Sequence, residues 1–343
     1  MKKSGSSMQS EPVEAPPWIS AQLGCLVSQH SHAILLSGPS GLGQYSLALS
    51  LATSFLCEDL GEEGACGRCS SCHSVAVKSH ADLFVLMPEI TLNHFSWPLS
   101  EKVQSDLDEK KRKPSKEIRV DAMHDAIEFS QRTSSRGKSK IVLIYPAERM
   151  NQITSNALLK TLEEPPGAVR FILVTEAEHL LLPTIKSRCI THKLIWPSKL
   201  DALDWLSKKG LPENEASALL QASGGRPNNA LSLFDNGINA DIWSRVPHAL
   251  INGDSTIFKD WTPSELVDVL QKVCHDVLVL SYGGEPIFFS ASVLPTQINV
   301  NAVTRWSRKL FQARKTVEHP FSQGLMFDAL TSQAQIALAT HKY

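Results

Sequence analysis

The sequence predicts an α/β protein whose first half is built on a parallel sheet and whose second half is all helical. Three observations predict it. Short apolar runs alternate with longer helical patterns as far as about residue 195, a glycine-rich turn directly follows the first run, and beyond Pro197 no comparable strand pattern persists. The runs cover residues 32–37, 83–86, 141–144 and 171–174. They are too short for core helices and apolar enough to be covered on both faces, so the stretches between them must be crossovers.

Residues 1–17 are polar and rich in Ser, Glu and Pro, and are expected to form a disordered tail. The α/β core then spans 18–196. Within it, residues 105–119 are dense in Asp, Lys and Arg and read as a solvated loop ahead of a helix over 120–130. Helices predicted near 200–208, 213–222 and 229–234 form a small unit over 197–237. After Gly237 the segments lengthen. Thr262-Pro-Ser-Glu265 is a capping box with proline at the first helical position. Leu266, Val269, Leu270, Val273, Val277 and Leu280 then recur at helical spacing. Further helices over 302–317 and 323–340 complete a helical domain over 238–343.

A chain of 343 residues, 42% hydrophobic and 20% charged, buries more than one core. Its 34 Lys and Arg against 35 Asp and Glu exclude a global basic field, so any nucleic-acid contact must be a local patch. No run of about 18 apolar residues and no apolar leader core are present, which predicts a soluble cytoplasmic protein without a membrane partner. Seven cysteines are too sparse for a disulfide scaffold.

Gly38-Pro-Ser-Gly-Leu-Gly43 follows the first strand and precedes a helical pattern from Leu47, the order a phosphate-binding loop requires. Gly38, Gly41, Gly43 and Gln44 are the candidate nucleotide contacts. A working loop ends Gly-Lys-Ser/Thr, where the ammonium meets the β- and γ-phosphates and the hydroxyl holds magnesium. Gln44 and Tyr45 stand there instead, and Ser46 is one residue out of register. The strand over 141–144 should end in acids that hold magnesium, but ends Tyr145-Pro146. Glu148, two positions on, reads as an acid at a helix N-terminus. ATP is therefore expected to bind weakly or not at all, without hydrolysis.

Cys57, Cys66, Cys69 and Cys72 give C-x8-C-x2-C-x2-C, with Gly61, Gly64 and Gly67 supplying turns. Four thiolates so spaced satisfy tetrahedral zinc and leave no open position, which makes a structural site. Free cysteines, or His73 in place of one ligand, are the alternatives.

The run Ser155-Asn-Ala-Leu-Leu-Lys-Thr-Leu-Glu-Glu-Pro-Pro166 resembles the clamp-loader AAA+ proteins of bacterial DNA polymerase III. Residues 171–175 and Leu181-Leu-Pro-Thr-Ile-Lys-Ser-Arg-Cys189 are similar to that family's sensor 1 strand and Ser-Arg-Cys motif, and the cysteine cluster to its zinc module. Pro17-Trp18, His80-Ala-Asp82 and Pro88-Glu89 add to the likeness. Matching motifs cover about the first two-thirds of the chain.

The resemblance implies a RecA-like AAA+ core carrying zinc module 57–72, a helical lid and a helical collar. It implies a hetero-pentamer with delta and gamma/tau subunits, and through it the sliding clamp and primed DNA. Motor subunits of the family carry intact Walker residues; the departures at Gln44, Tyr45 and Tyr145-Pro146 place this chain with the ring's non-hydrolysing member. Where a motor has its sensor 2 arginine stands Asn228, with Arg226 two positions early. Arg188 is kept, and the resemblance implies an arginine finger supplied in trans to a neighbour's ATP. A salt bridge within its own domain is the other reading. Ser187 would orient it, Cys189 reads as buried and apolar, Thr175 holds the sensor 1 position, and Glu163 and Glu164 are candidate contacts to a neighbouring subunit. Arg132, Arg136, Lys138 and Lys140 read as a solvated basic loop, and secondarily as phosphate contacts. Two other functions compete. A hydrolysing gamma/tau-type motor is disfavoured by the two degenerate sites, and a zinc-ribbon nucleic-acid binder by the neutral charge.

Overall fold

The computed structural model describes residues 16–29, 31–62, 64–259, 261–317 and 323–339, so the predicted tail lies outside it except for Pro16 and Pro17. Pro17 opens α1 (Pro17–Val27) at a position where its missing N–H costs nothing, and the helix buries Trp18, Ile19, Leu23 and Leu26. Then come β1 (Ala33–Ser37), α2 (Gln44–Leu56), α3 (Ser70–Ala76), β2 (Leu83–Leu86), α4 (Glu89–His94) and α5 (Glu101–Asp108). They are followed by α6 (Val120–Gln131), β3 (Lys140–Ile144), α7 (Gln152–Glu163), β4 (Val169–Thr175), α8 (Pro183–Lys186) and β5 (Ile190–Lys193).

The five strands form one parallel sheet in the order β2-β3-β4-β1-β5. β1 and β3 are buried along their whole length, which is why they read as unbroken apolar runs. Ser37 lies opposite both Thr175 and Lys193 in register, so the ends of β1, β4 and β5 meet beside the glycine loop. Crevices at the carboxyl ends of parallel strands are where such sheets bind ligands.

Two expectations need correction. No strand is predicted over residues 190–193, yet β5 pairs with β1 there; it is a largely exposed edge strand, Ile-Thr-His-Lys, and carries no apolar run to announce it. Residues 105–119 are not all loop, because α5 runs to Asp108. That helix buries no residue, so its sequence lacks an apolar stripe. The loop beyond it is anchored: Arg112 grips the buried Glu89 through Nη1 at 2.5 Å and Nη2 at 2.8 Å.

The chain divides into two compact units between Ser198 and Lys199. The second contains α9 (Lys199–Lys208), α10 (Glu213–Ala222), α11 (Pro227–Asp235), α12 (Ala240–Asn252), α13 (Pro263–Ser281), α14 (Val300–Thr316) and α15 (Gln323–Leu338). The capping box is formed, with Thr262 and Glu265 exchanging bonds at the start of α13. Leu266, Val269, Leu270, Val273 and Val277 all enter the core of this unit, and Leu280 packs against it. Among the described residues no helix is long and apolar enough to cross a membrane.

Candidate functional site

The glycine loop has the backbone of a phosphate cradle. Gly43 sits at φ 92° as the residue before α2, a left-handed conformation that glycine adopts without steric cost. Its contents differ from those of a working loop. The Gln44 side chain is buried and turns back into the loop, where its amide nitrogen donates to the Gly38 carbonyl at 2.9 Å and to the Pro39 carbonyl. Both amide hydrogens are thus committed to the loop itself. The Trp18 indole donates to the Leu42 carbonyl at 2.8 Å, holding the loop from α1.

Tyr45, at the magnesium-ligand position, is built into an aromatic cluster. Its ring lies 4.1 Å from Phe95 and 5.6 Å from Tyr145, centroid to centroid, and its hydroxyl accepts from the Trp97 indole at 2.6 Å. Burial raises the Tyr45 phenol above its usual range. The Tyr145 hydroxyl donates to Glu176 at 2.8 Å, and burial followed by the Glu176 charge raises that phenol further. Neither oxygen is an anionic metal ligand. Glu148 is not simply an acid at a helix start: its carboxylate accepts from the Thr175 hydroxyl at 2.7 Å and the Glu176 N–H at 3.1 Å. Thr175 and Glu148 therefore satisfy one another. Arg226 donates through Nε to the Ser223 carbonyl at 2.7 Å.

The second site is the cysteine cluster. Cys57 closes α2 and Cys69 and Cys72 flank the start of α3, and the four sulfurs lie within 4.8 Å of one another. Cys57 and Cys69 are 3.9 Å apart, close to the roughly 3.8 Å edge of a tetrahedron with metal–sulfur bonds of about 2.3 Å. Backbone N–H groups of Cys66, Cys69 and Cys72 donate to the sulfurs of Cys57, Cys66 and Cys69 at 3.3, 3.4 and 3.4 Å. Such bonds favour thiolate. Burial opposes ionisation at Cys69, but the Cys72 and Glu58 N–H groups hold its thiol down at about 6. N–H groups of Arg68 and Cys69 lower Cys66, whereas burial raises Cys57 and Cys72. Four convergent sulfurs of this geometry fit a structural zinc ion, which would supply the charge that the two more buried thiols lack. His73 is not part of the cluster.

The basic stretch is a largely solvated loop, as expected, and its cations Arg136 and Lys138 are tied to this module. Arg136 donates to Glu58 at 2.7 Å and to Ser70 and Ser71, and Lys138 donates to the Cys57 carbonyl. Lys140 is buried with Asp82 at 3.4 Å. Asp82 also accepts from the N–H groups of Ser135 and Arg136 and from Ser134 Oγ. His80 lies 3.2 Å from Ser71. The His80-Ala-Asp82 motif and the basic stretch thus tie the cysteine module to β2 and β3, a pairing across more than 50 residues that no local pattern announces. Arg132, Arg136 and Lys138 all remain exposed, Arg132 paired with Glu128 a turn earlier, and only Lys140 is buried.

Arg188 follows α8 and sits beside the end of α7. Its Nε donates to Glu163 at 2.8 Å and Nη2 to the same carboxylate oxygen, while Nη1 reaches the Thr184 carbonyl at 2.8 Å and Ser187 Oγ at 3.3 Å. The Arg188 side chain is 30% exposed. The salt bridge within its own domain is therefore present, with Ser187 beside it as predicted, and Glu163 is its partner. Cys189 is half-buried against the sheet core, and burial pushes its thiol up to about 12.

Comparison with known proteins adds to this geometry. The family model described as DNA polymerase III, delta subunit matches residues 25–196. The chain is 39% identical over 228 residues to DNA polymerase III subunit delta' of Pseudomonas aeruginosa, covering 65% of this chain and 62% of that protein. It is 30% identical over 224 residues to the Escherichia coli delta' subunit, covering 64% and 60%, and 30% identical over 271 residues to that of Yersinia pestis, covering 76% and 71%. The matched region spans about three-fifths of the first two relatives.

Proposed function

The chain belongs to the DNA polymerase III delta and delta-prime subunit family, and from that premise we propose that it is the delta-prime member of a cytoplasmic clamp loader, one that shapes the ring without hydrolysing ATP. The observation that carries the non-hydrolysing reading is Gln44. At the position where a motor holds an ammonium over the phosphates, this chain holds a neutral amide whose hydrogens are spent on the Gly38 and Pro39 carbonyls. Tyr45 and Tyr145, at the positions where a motor has its magnesium ligands, stack on one another instead.

Catalysis by this chain is then restricted to what it lends a neighbour. Arg188 supplies a planar, permanently charged fork able to stabilise charge on transferring phosphoryl oxygens of ATP bound by an adjacent gamma/tau subunit. The zinc module is structural. Clamp and primed DNA are met through the hetero-pentamer formed with delta and gamma/tau. Mixing the purified chain with delta and gamma/tau of the same organism is expected to give one co-eluting assembly with DNA-stimulated ATP turnover, while the chain alone turns over no ATP. Robust turnover by the chain alone would return it to the motor class, and failure to co-elute would remove it from the ring.

A further inference from the structure

We propose that the outward face of α14 binds single-stranded nucleic acid, a surface separate from the glycine loop, the zinc module and Arg188. The chain as a whole is nearly neutral, at −1. Against that background α14 carries Arg305, Arg308, Lys309, Arg314 and Lys315 in 17 residues with no acidic residue. Val303, Trp306 and Leu310 are buried in the core of their unit. At 100° per residue this puts Arg305, Arg308, Gln312 and Lys315 on the opposite side, with Lys309 flanking them, and all five are exposed. Among the described residues, the ion pairs of this unit join Lys208 to Asp204, Arg245 to Asp241, Lys272 to Asp268 and His275 to Asp276, so none involves α14. A stripe of like charges that pairs with no acid among the described residues is destabilising to its own helix, which makes an external polyanion the natural complement.

Two features select single strands among polyanions. Phe311 borders the stripe on its Lys315 edge, 58% exposed, with the Lys315 ammonium 4.8 Å from its ring centroid, so an aromatic face and a cation are presented together. On the other flank of the stripe, between α14 and α15, runs a groove of about 330 Å³ lined by Arg308, Lys309, Gln312, Ala313, Leu330 and Gln333. Cations at its rim, two amides and an apolar floor are the parts that hold phosphate, base edge and base plane. Unpaired bases stack on such platforms, whereas a duplex hides its base faces. An acidic peptide would engage the cations and leave Phe311 and the groove unused.

The test uses the full chain and a fluorescent oligothymidylate of about 20 nucleotides, with anisotropy read at several salt concentrations. With Arg305, Arg308 and Lys309 each meeting one phosphate, affinity is expected to fall about 20-fold between 50 and 200 mM salt, from a slope of about −0.7 per contact. The double variant Arg308→Gln/Lys309→Gln retains one contact, so its fall is about threefold, and it binds more than tenfold more weakly at 50 mM. Phe311→Ala weakens binding at least fivefold with the salt slope unchanged. All three positions are exposed, and unchanged melting temperatures certify the fold. Absence of binding at 50 mM salt, or equal binding by the double variant, overturns the proposal. So does capture of polyglutamate without oligothymidylate, which makes the partner an acidic protein, and so does duplex binding as tight as single-strand binding with Phe311→Ala silent. None of these outcomes depends on the clamp-loader reading.

Discussion

Replacing Arg188 with alanine is expected to lower ATP turnover at the neighbouring site of the reconstituted loader by about 10³-fold or more, the range arginine fingers supply. The comparison is made with the other ATP sites inactivated, so that one site is read. The isolated chain should barely notice the change. The Arg188–Glu163 pair is 30% and 48% exposed, and ion pairs so placed contribute about 0–1 kcal/mol. A large kinetic effect with a small stability effect separates a group used in trans from one used only at home. Arg188→Lys should restore little, because an ammonium keeps the charge and loses the fork. Turnover unchanged in Arg188→Ala would leave the guanidinium as a partner for Glu163 and nothing more.

Loss of the metal is the second large effect. Purified without chelators, the chain is expected to carry one zinc ion per molecule, and Cys66→Ser/Cys69→Ser to carry none. Structural zinc contributes about 10–16 kcal/mol to small zinc-finger peptides. Here the module is also tied down by Arg136, Lys138 and Asp82, so a loss of roughly 3–5 kcal/mol is expected, or about 10 °C in melting temperature for a unit of this size. A strong chelator should produce the same fall in the unmodified chain and none in the variant. A zinc-free chain that melts where the zinc-loaded chain does would contradict the structural role.

Much of the sheet was legible because β1, β3 and β4 are buried almost throughout and β2 is half-buried, so all four write themselves as apolar runs. β5 was not, since an exposed edge strand such as Ile-Thr-His-Lys carries no such run. The glycine loop, its missing lysine and the cysteine spacing were readable as local patterns. What Gln44 does with its amide was not, because the answer lies in carbonyls five and six residues back that only the folded loop brings together. The basic stretch is legible as a solvated loop, but its bonding partners are not. Arg136, Lys138 and Lys140 look like a surface patch in sequence, yet their partners Glu58, Cys57 and Asp82 lie 78, 81 and 58 residues away. Arg188 is legible through the resemblance of its motif, whereas its bond to Glu163 is not, because the two lie 25 residues apart and only the fold brings them together.

The central claim is that the phosphate loop is filled from within, and calorimetric titration of Mg-ATP into the purified chain tests it most directly. Titrated to millimolar nucleotide, where a dissociation constant of 1 mM corresponds to about −4.1 kcal/mol, the chain is expected to give no saturable heat. Saturable binding in the micromolar range would mean that Gln44 leaves its carbonyl partners to cradle phosphates, and would contradict the account.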